Sequence, residues 1–382
     1  MTTIQYLTSI TFEFGAVARV AEIAGSVGIS RPLVVTDPGL ADGPVLARVM
    51  SVLAPMSPVL FAETPQNPTE AAVEHAAARF RTHRCDGVVA VGGGSPIDLA
   101  KATALLATHP GPLERYAAIL GGIPKITAAV APVVAVPTTA GTGSEVGRAA
   151  LITLRDGRKL GLIGPPMIPR WALCDPELTL GLPPRLTAAT GMDALAHCIE
   201  TYLSPRVNPP ADAIALDGAA RAARHIRAAV ADGSDRQARW QMMMAALQGG
   251  LTFQKGLGAV HAMSHPLGGL PDPVLHHGTL NAVILPAVLR FNRSHAQAKC
   301  EALERAIGVP EGQDLAAFIE QLNADIGLPA SLRAMGVPAG CLPAMVEGAL
   351  ADHSTATNPR PLARADFESL FQQAMGDPAI AP

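Results

Sequence analysis

The chain has 382 residues, of which 49% are hydrophobic, 16% charged and 4% aromatic, and its formal net charge is -3. This length predicts two domains, because one domain has roughly 100 to 200 residues. The slightly acidic balance provides no basic face for a phosphate backbone, so nucleic acid is not expected as a partner. The apolar composition favours burial between subunits and hence a homo-oligomer, a dimer or larger.

The cysteines and the apolar stretches indicate in which cellular compartment the protein is expected. The 5 cysteines are widely spaced and form no CxxC pair, which argues against a disulfide framework or a thiolate zinc site. The stretch MTTIQYLTSITFEFG shows no signal peptide. The longest apolar stretch, ITAAVAPVVAVP, is well short of the ~20 residues that span a bilayer. We therefore expect a cytoplasmic protein with no membrane partner.

The first half of the chain alternates apolar runs with helical segments. Runs of strand length lie at 32–37, 87–93 and 132–139, and helices are predicted at 40–53, 69–82 and 96–107. Near-continuous apolar runs are typical of parallel strands covered on both faces. The alternation predicts a doubly wound, mostly parallel sheet, which we assign to an NAD-binding α/β domain over 1–180.

The second half has a different residue composition and pattern. Long Ala/Leu-rich stretches at helical spacing follow, punctuated by glycine and proline, and β-rich runs are few. This pattern predicts an all-α second domain over 181–382.

A glycine-rich turn joins a predicted strand to a predicted helix in VVAVGGGSPIDLAKA. Gly93 and Gly94 would let the backbone approach a phosphate, and the N–H groups near Ser95 would face it at the helix start. The alternative is a tight connection that binds nothing.

Two further strand ends supply polar groups. Asp37 ends an early strand, where a carboxylate can accept hydrogen bonds from the adenosine ribose and repel a 2′-phosphate, which favours NAD over NADP. The alternative is that Asp37 starts a turn with Pro38. The third strand end, VPTTAGTGSE, brings the hydroxyls of Thr138 and Thr139. Loops at the strand ends of an open sheet converge on one crevice.

Acidic and imidazole side chains recur at helical spacing in the second half. Asp193 and His197 are four residues apart in GMDALAHCIETY and share a helix face, although a surface hydrogen bond between them is an alternative. His261 and His265 repeat the spacing, and a histidine pair precedes Gly278.

One carboxylate and three imidazoles suit a borderline divalent cation such as Fe²⁺ or Zn²⁺, with one position open for a substrate oxygen. Such an ion can polarise a carbonyl or stabilise an alkoxide, as hydride transfer to and from NAD requires. The two halves therefore predict a metal-dependent, NAD-dependent oxidoreductase.

Several motifs occur in order over nearly the whole chain, namely GGGSPIDLAK, PTTAGTGSEV, DPELTLGLPP, TGMDALAHCIE and VHAMSHPLGG. They resemble those of the iron-dependent (group III) alcohol dehydrogenases, which share a fold with glycerol dehydrogenase and dehydroquinate synthase. The resemblance implies a nucleotide-binding α/β domain, a helical metal-binding domain, and an active site in the cleft between them.

The resemblance also implies residue roles. The implied metal ligands are Asp193, His197, His261 and His277. His265 is implied to lie near the nicotinamide, as a candidate proton relay. The implied cofactor residues are Asp37 at the ribose, Gly93, Gly94 and Ser95 at the pyrophosphate, and Thr138, Thr139 and Lys159 around the phosphates and nicotinamide ribose. The implied substrate-pocket residues are Asn67, Phe253 and Ser354.

Two departures from the family leave alternatives open, and one further residue has an expected structural role. The segment before HHG is about two residues longer than in the family, so His276 is an alternative ligand, although the following glycine favours His277. Lys255 and Arg148 would favour a carboxylate-bearing aldehyde of the succinate-semialdehyde kind, unless both point to solvent or to an acidic neighbour. Asp98 is expected to cap a helix or to support a loop.

The predicted activity is that of an NAD(H)-dependent, divalent-metal-dependent alcohol dehydrogenase or aldehyde reductase for small primary alcohols, diols or their aldehydes. The alternative is a hydroxy-acid (semialdehyde) dehydrogenase or a maleylacetate-reductase-like enzyme of the same family. A dehydroquinate synthase-type lyase is less favoured, because the region 191–282 is poor in Lys and Arg. An inactive nucleotide-binding scaffold is less favoured too, because ligands without a metal would be costly buried polar groups.

Overall fold

The structure is a computed structural model that describes residue 4 and residues 8–270 and 272–376. Residues 1–3 and 5–7 of the stretch considered for a signal peptide therefore lie outside the described residues. Internal contacts divide the chain into two compact units. The C-terminal unit comprises Ile4, Ala140–Thr142 and the chain from Gly181 on, and the N-terminal unit comprises the remainder.

The N-terminal unit is built on a parallel sheet. Its strands are β1 (Ser9–Phe12), β2 (Pro32–Val35), β3 (Val59–Phe61), β4 (Gly87–Gly92), β5 (Val133–Pro137) and β8 (Trp171–Cys174), in the order β1-β8-β5-β4-β2-β3. Every pairing in this sheet is parallel. The strands β6 (Ala149–Thr153) and β7 (Lys159–Ile163) form a separate antiparallel pair.

Helices cover both faces of this sheet. They are α1 (Val20–Ser26), α2 (Pro44–Leu53), α3 (Glu70–Thr82) and α4 (Gly94–Thr108). Leu33 and Val35 of β2 pack in one core with α3 and α4, and Val34 between them packs in another core with α1 and α2. Because successive strand side chains point to opposite faces, both alternating sets must be apolar. This requirement explains the continuous apolar runs in the sequence.

The C-terminal unit is helical. Its helices are α5 (Pro184–Leu203), α6 (Pro209–Ala231), α7 (Arg236–Leu251), α8 (Ala259–Leu267), α9 (His277–Asn292), α10 (Gln297–Ile307), α11 (Leu315–Asp325), α12 (Leu342–Ala351) and α13 (Arg364–Ala374). Side-chain caps fix where several begin: Asn208, Asp235 and Asp314 each accept a hydrogen bond from a backbone N–H in the first turn of α6, α7 and α11. The expected fold class is confirmed.

Helix α5 is the central element of this unit, since its residues 187–201 are all buried. A helix buried on every face is apolar all round, which accounts for the sequence texture of TGMDALAHCIE. Within the described residues, no helix combines the length and the apolar character that crossing a membrane requires.

Candidate metal centre and nucleotide loops

The implied metal ligands converge in the C-terminal unit. One ligand atom from each of Asp193, His197, His261 and His277 lies within 4.8 Å of the others. The Asp193 Oδ1 atom is 3.8 Å from His197 Nε2, 3.9 Å from His261 Nε2 and 3.7 Å from His277 Nε2. The group contains His277 and not its alternative, His276, which is the N-cap of α9.

Three helices bring these side chains together. Asp193 and His197 occupy one turn of α5, His261 lies in the first turn of α8, and His277 begins α9. Glycine makes the approach of α9 possible, because a Cβ added at Gly278 would lie 2.2 Å from the Ala189 carbonyl oxygen. The glycine after the ligand histidine is therefore a packing requirement.

The protonation states suit metal binding. Burial lowers the pKa of His197 to about 4 and that of His261 to about 3, so both imidazoles are neutral near pH 7. The Nδ1 atom of His261 is hydrogen-bonded to Glu200 Oε2, which directs its Nε2 lone pair into the ligand group. A buried set of one carboxylate oxygen and imidazole nitrogens fits a borderline divalent cation.

Sequence reasoning missed Glu200, whose buried carboxylate also accepts a hydrogen bond of 2.8 Å from the Val260 N–H at the start of α8. Helical periodicity gave a usable signal, because Glu200 follows Asp193 by seven residues and shares its face of α5. Burial raises the pKa of Glu200, and the hydrogen bond from the Val260 N–H opposes that rise by stabilising the carboxylate. Its bond to His261 makes it an orienting partner of a ligand.

His265 also lies on α8, beside the group of proposed ligands. Its ring stacks on that of His277 with centroids 5.6 Å apart, and its Nδ1 is 2.8 Å from Asp352 Oδ2. Burial alone would raise the pKa of Asp352, but the charge and hydrogen bond of His265 outweigh burial and lower it. No sequence pattern pointed to Asp352, which lies 87 residues from His265.

Two implied substrate-pocket residues are also close to these groups. The Phe253 ring packs edge-on against His197 with centroids 4.8 Å apart. Ser354 is buried and follows Asp352, to which its N–H donates a hydrogen bond of 2.8 Å. Both residues therefore lie near the ligand group, one beside His197 and the other beside the partner of His265.

For Lys255 the structure shows the alternative given above, an acidic neighbour, and not a contact with an acidic substrate. The Lys255 side chain is fully buried and forms an ion pair with Asp212. Its ammonium also donates to the Tyr202 carbonyl oxygen at 3.3 Å. A buried cation needs such partners, so Lys255 faces an acidic neighbour. Arg148 is exposed, and its role stays a prediction.

In the N-terminal unit the predicted nucleotide loops lie at adjacent strand ends. Gly93 is the N-cap of α4, with no side-chain cap on the helix start. A Cβ added there would lie 3.2 Å from Thr139 Oγ1, and the Thr138 N–H donates to the Gly92 carbonyl at 3.0 Å. The Ser95 hydroxyl donates to the Gln66 carbonyl. These groups all lie at the carboxyl ends of the neighbouring strands β4 and β5.

Asp37 accepts a hydrogen bond of 2.8 Å from the Gly39 N–H, so the turn that was given as the alternative role of Asp37 is present. Burial raises the pKa of Asp37. At the edge of the same unit, Lys159 Nζ donates to Asn67 Oδ1 at 3.0 Å, which brings a predicted cofactor residue and a predicted pocket residue together.

Asp98 supports a loop, as expected. It accepts hydrogen bonds from the Ser144 hydroxyl and, at 2.9 Å, from the Leu151 N–H. The fully buried Lys101 donates to Ser144 Oγ at 2.6 Å, and burial lowers the pKa of Lys101 to about 8. This network ties the end of the VPTTAGTGSE segment to α4.

Comparisons with known proteins identify the family. The family model for iron-containing alcohol dehydrogenase matches residues 8–176, and the model for the C-terminal region of the Fe-containing alcohol dehydrogenase family matches 187–375. A 4-hydroxybutyrate dehydrogenase from Cupriavidus necator is 52% identical over 382 residues, which cover 98% of this chain and 100% of the relative.

Solved structures show the same fold. A 1,3-propanediol oxidoreductase superposes with a TM-score of 0.90 at 37% identity, over 98% of this chain and 100% of that one. A sulfoacetaldehyde reductase from Bifidobacterium kashiwanohense, solved in complex with NAD+, has a TM-score of 0.88 at 27% identity, over 98% and 99% of the two chains.

The chain belongs to the iron-containing alcohol dehydrogenase family. It is therefore an oxidoreductase that acts on CH–OH groups and their carbonyl counterparts, as the sequence predicted.

Proposed function

We propose that this enzyme interconverts a short ω-hydroxy acid of the 4-hydroxybutyrate type and its semialdehyde, with NAD(H) and a divalent cation. The observation that carries the substrate class is the identity of more than half of all positions with the Cupriavidus necator relative, over its full length. The comparison thus favours the hydroxy-acid alternative over the predicted small alcohols and diols.

The group formed by Asp193, His197, His261 and His277 supports the cation. Fe²⁺ is our first assignment, and Zn²⁺ or another divalent ion fits the same donors. When bound, the cation would polarise the substrate oxygen while NAD accepts or returns the hydride. Glu200 holds His261 in the tautomer that a ligand needs.

We assign His265 to proton transfer. Because its Nδ1 is directed at Asp352, Nε2 is the atom that takes up or releases a proton. Asp352 is a positioning residue, since its hydrogen bond to Nδ1 fixes the orientation of the His265 ring. Phe253 and Ser354 are proposed to border the substrate.

We assign NAD binding to the N-terminal domain, 1–180, and metal binding to the C-terminal domain, 181–382. The neighbouring strand ends of the sheet support the first assignment, with Asp37 at the adenosine ribose. The helix start at Gly94 and Ser95 supports a pyrophosphate site next to Gly93, because unpaired N–H groups there attract anions. Thr138, Thr139 and Lys159 are proposed to complete the site. We further propose a homo-oligomeric, cytoplasmic enzyme.

Steady-state kinetics test the activity. Protein loaded anaerobically with Fe²⁺ should reduce NAD+ with 4-hydroxybutyrate, measured by the absorbance of reduced nicotinamide. We expect kcat/KM for 4-hydroxybutyrate to exceed that for 1,3-propanediol by about tenfold or more, which corresponds to about 1.4 kcal/mol of transition-state binding, because the 52% identical relative is a 4-hydroxybutyrate dehydrogenase. A metal-free sample is the control.

The second candidate is a diol dehydrogenase, favoured by the fold of the 1,3-propanediol oxidoreductase. A higher kcat/KM for 1,3-propanediol than for 4-hydroxybutyrate would support this candidate and overturn the first. No NAD+ or NADP+ reduction with any short alcohol would overturn both.

A further inference from the structure

Asn281 lies among the proposed metal ligands. It follows His277 by one turn of α9 and is fully buried. Its Nδ2 atom is 2.7 Å from Asp193 Oδ1, 3.1 Å from His261 Nε2 and 3.1 Å from His277 Nε2. A single amide nitrogen therefore contacts three of the four atoms that would bind a cation.

The chemistry of these neighbours explains why a donor is located there. Asp193 Oδ1 is an acceptor, and the bond of His261 Nδ1 to Glu200 leaves the His261 Nε2 lone pair facing the amide. Acceptors that converge in a buried place are costly unless donors or a cation satisfy them. The amide NH2 group carries two such donors.

The other end of the same amide is not anchored. Asn281 Oδ1 is buried and has no hydrogen-bond partner among the described residues. The hydrogen bonds that orient this side chain are therefore those of Nδ2 to the ligand atoms. When these bonds are released, no second anchor has to break.

We propose that Asn281 is a placeholder in the metal site, whose amide satisfies the ligand atoms in the metal-free protein and gives them up when a divalent cation binds. The inference rests on the proposed function, because it takes the same ligands. Its hydrogen bonds stabilise the metal-free form selectively. Asn281 thus keeps the ligand side chains ordered in the metal-free form and lowers the affinity of the site for the cation.

The test compares Asn281→Ala with the wild type by thermal melting, with and without saturating Zn²⁺, and by Zn²⁺ competition with a chelator. We expect the metal-free Tm to fall by about 3–6 °C and the Zn²⁺-loaded Tm to change by less than about half as much. The dissociation constant for Zn²⁺ should become about tenfold smaller, since only the competing form loses hydrogen bonds.

Asn323→Ala is the matched control. Asn323 is a buried asparagine of α11 whose Nδ2 donates to the Ala282 carbonyl at 2.7 Å and whose Oδ1 also has no partner among the described residues. This hydrogen bond does not involve any of the four proposed metal ligands. Its substitution should lower the Tm of both forms equally and leave the Zn²⁺ affinity unchanged.

Equal losses of Tm in both forms of Asn281→Ala, or weaker Zn²⁺ binding, would overturn the placeholder role. Asn281→Leu, which keeps the volume, separates loss of the donor from formation of a cavity and should behave like Asn281→Ala. If Asn281→Ala folds only with Zn²⁺, the proposal is supported. If Asn281→Ala and Asn281→Leu fold neither with nor without Zn²⁺, the proposal is contradicted. If wild type and His197→Ala bind Zn²⁺ equally, the metal site itself fails, which is a separate outcome.

Discussion

The Nδ1 atom of His265 lies 2.8 Å from Oδ2 of Asp352, and this pair connects α8 with the residue that follows α12. This hydrogen bond to the carboxylate fixes the orientation of the imidazole and leaves its Nε2 atom for proton transfer. The geometry therefore separates a positioning residue, Asp352, from the proposed catalytic residue, His265.

Asp352→Asn should lower kcat for 4-hydroxybutyrate oxidation by about 10- to 100-fold, because the amide cannot stabilise a protonated imidazole as a carboxylate does. It should also lower the free energy of unfolding near neutral pH. Since His265 depresses the pKa of Asp352, that stability is present above the ordinary pKa of an aspartate and is lost as pH falls below about 4.

Urea unfolding of the metal-free proteins at pH 7 and pH 3 checks this dependence. The difference between wild type and Asp352→Asn should shrink at pH 3. Glu347→Gln, at an exposed position of α12, is the control and should leave kcat unchanged. An unchanged kcat for Asp352→Asn would contradict the positioning role.

His197→Ala should abolish binding of the cation before it unfolds the domain. The ring supplies one of the ligand atoms, and α5 is packed on all sides by other residues. Mass spectrometry of the purified protein should show loss of bound metal, while circular dichroism shows unchanged helix content. His225→Ala, on α6, is the control. Retention of both metal and activity would mean that His197 is not a ligand.

Asp37→Asn should relax the preference for NAD over NADP. The amide oxygen can still accept from the Gly39 N–H, while the charge that would repel a 2′-phosphate is removed. We expect kcat/KM with NADPH to rise relative to NADH by about tenfold or more. Asp42→Asn, at an exposed position nearby, should leave the ratio unchanged. An unchanged ratio of NADPH to NADH activity in Asp37→Asn would show that Asp37 does not lie at the adenosine ribose.

Glu145→Gln should change how stability depends on pH. Burial raises the pKa of Glu145 from 4.5 to about 7, so between these values the folded chain binds more protons than the unfolded chain. The free energy of unfolding of the wild type therefore falls as pH rises through this window. Glutamine removes the titration, and the fall between pH 5 and pH 7 should be smaller by about 1–3 kcal/mol.

Urea unfolding at the two pH values measures that difference. Glu114→Gln, an exposed residue of the same unit, should retain the dependence of the wild type. Identical slopes for Glu145→Gln and wild type would show that Glu145 keeps an ordinary pKa.

Lys255→Met should lower stability and leave substrate choice intact. It removes a fully buried cation and leaves Asp212, which is partly exposed, without that partner. We expect a loss of about 1–3 kcal/mol in the free energy of unfolding, limited by the access of Asp212 to water. The ratio of kcat/KM for 4-hydroxybutyrate to that for 1,3-propanediol should stay within about twofold, since a factor of two is under 0.5 kcal/mol.

A double-mutant cycle with Asp212→Asn isolates the ion pair in that loss. A selective drop in 4-hydroxybutyrate activity in Lys255→Met would instead show that Lys255 contacts the carboxylate of the substrate.

The α/β half could be predicted because a sheet covered on both faces needs apolar residues at every strand position, as in β2 and β4. The proposed ligands could be predicted because helical spacing places Asp193 and His197 on one face. Glu200 and Asn281 follow Asp193 and His277 at helical spacing on α5 and α9, but the sequence analysis did not single them out.

By itself, the sequence determined the family, the fold class and the residues that converge as candidate ligands, because these depend on local periodicity and on ordered motifs. Only the tertiary structure decided the partners of Lys255 and His265, which lie 43 and 87 residues away in the chain. Whether a buried lysine meets a substrate or a carboxylate depends on how distant helices pack. Local sequence does not fix that packing.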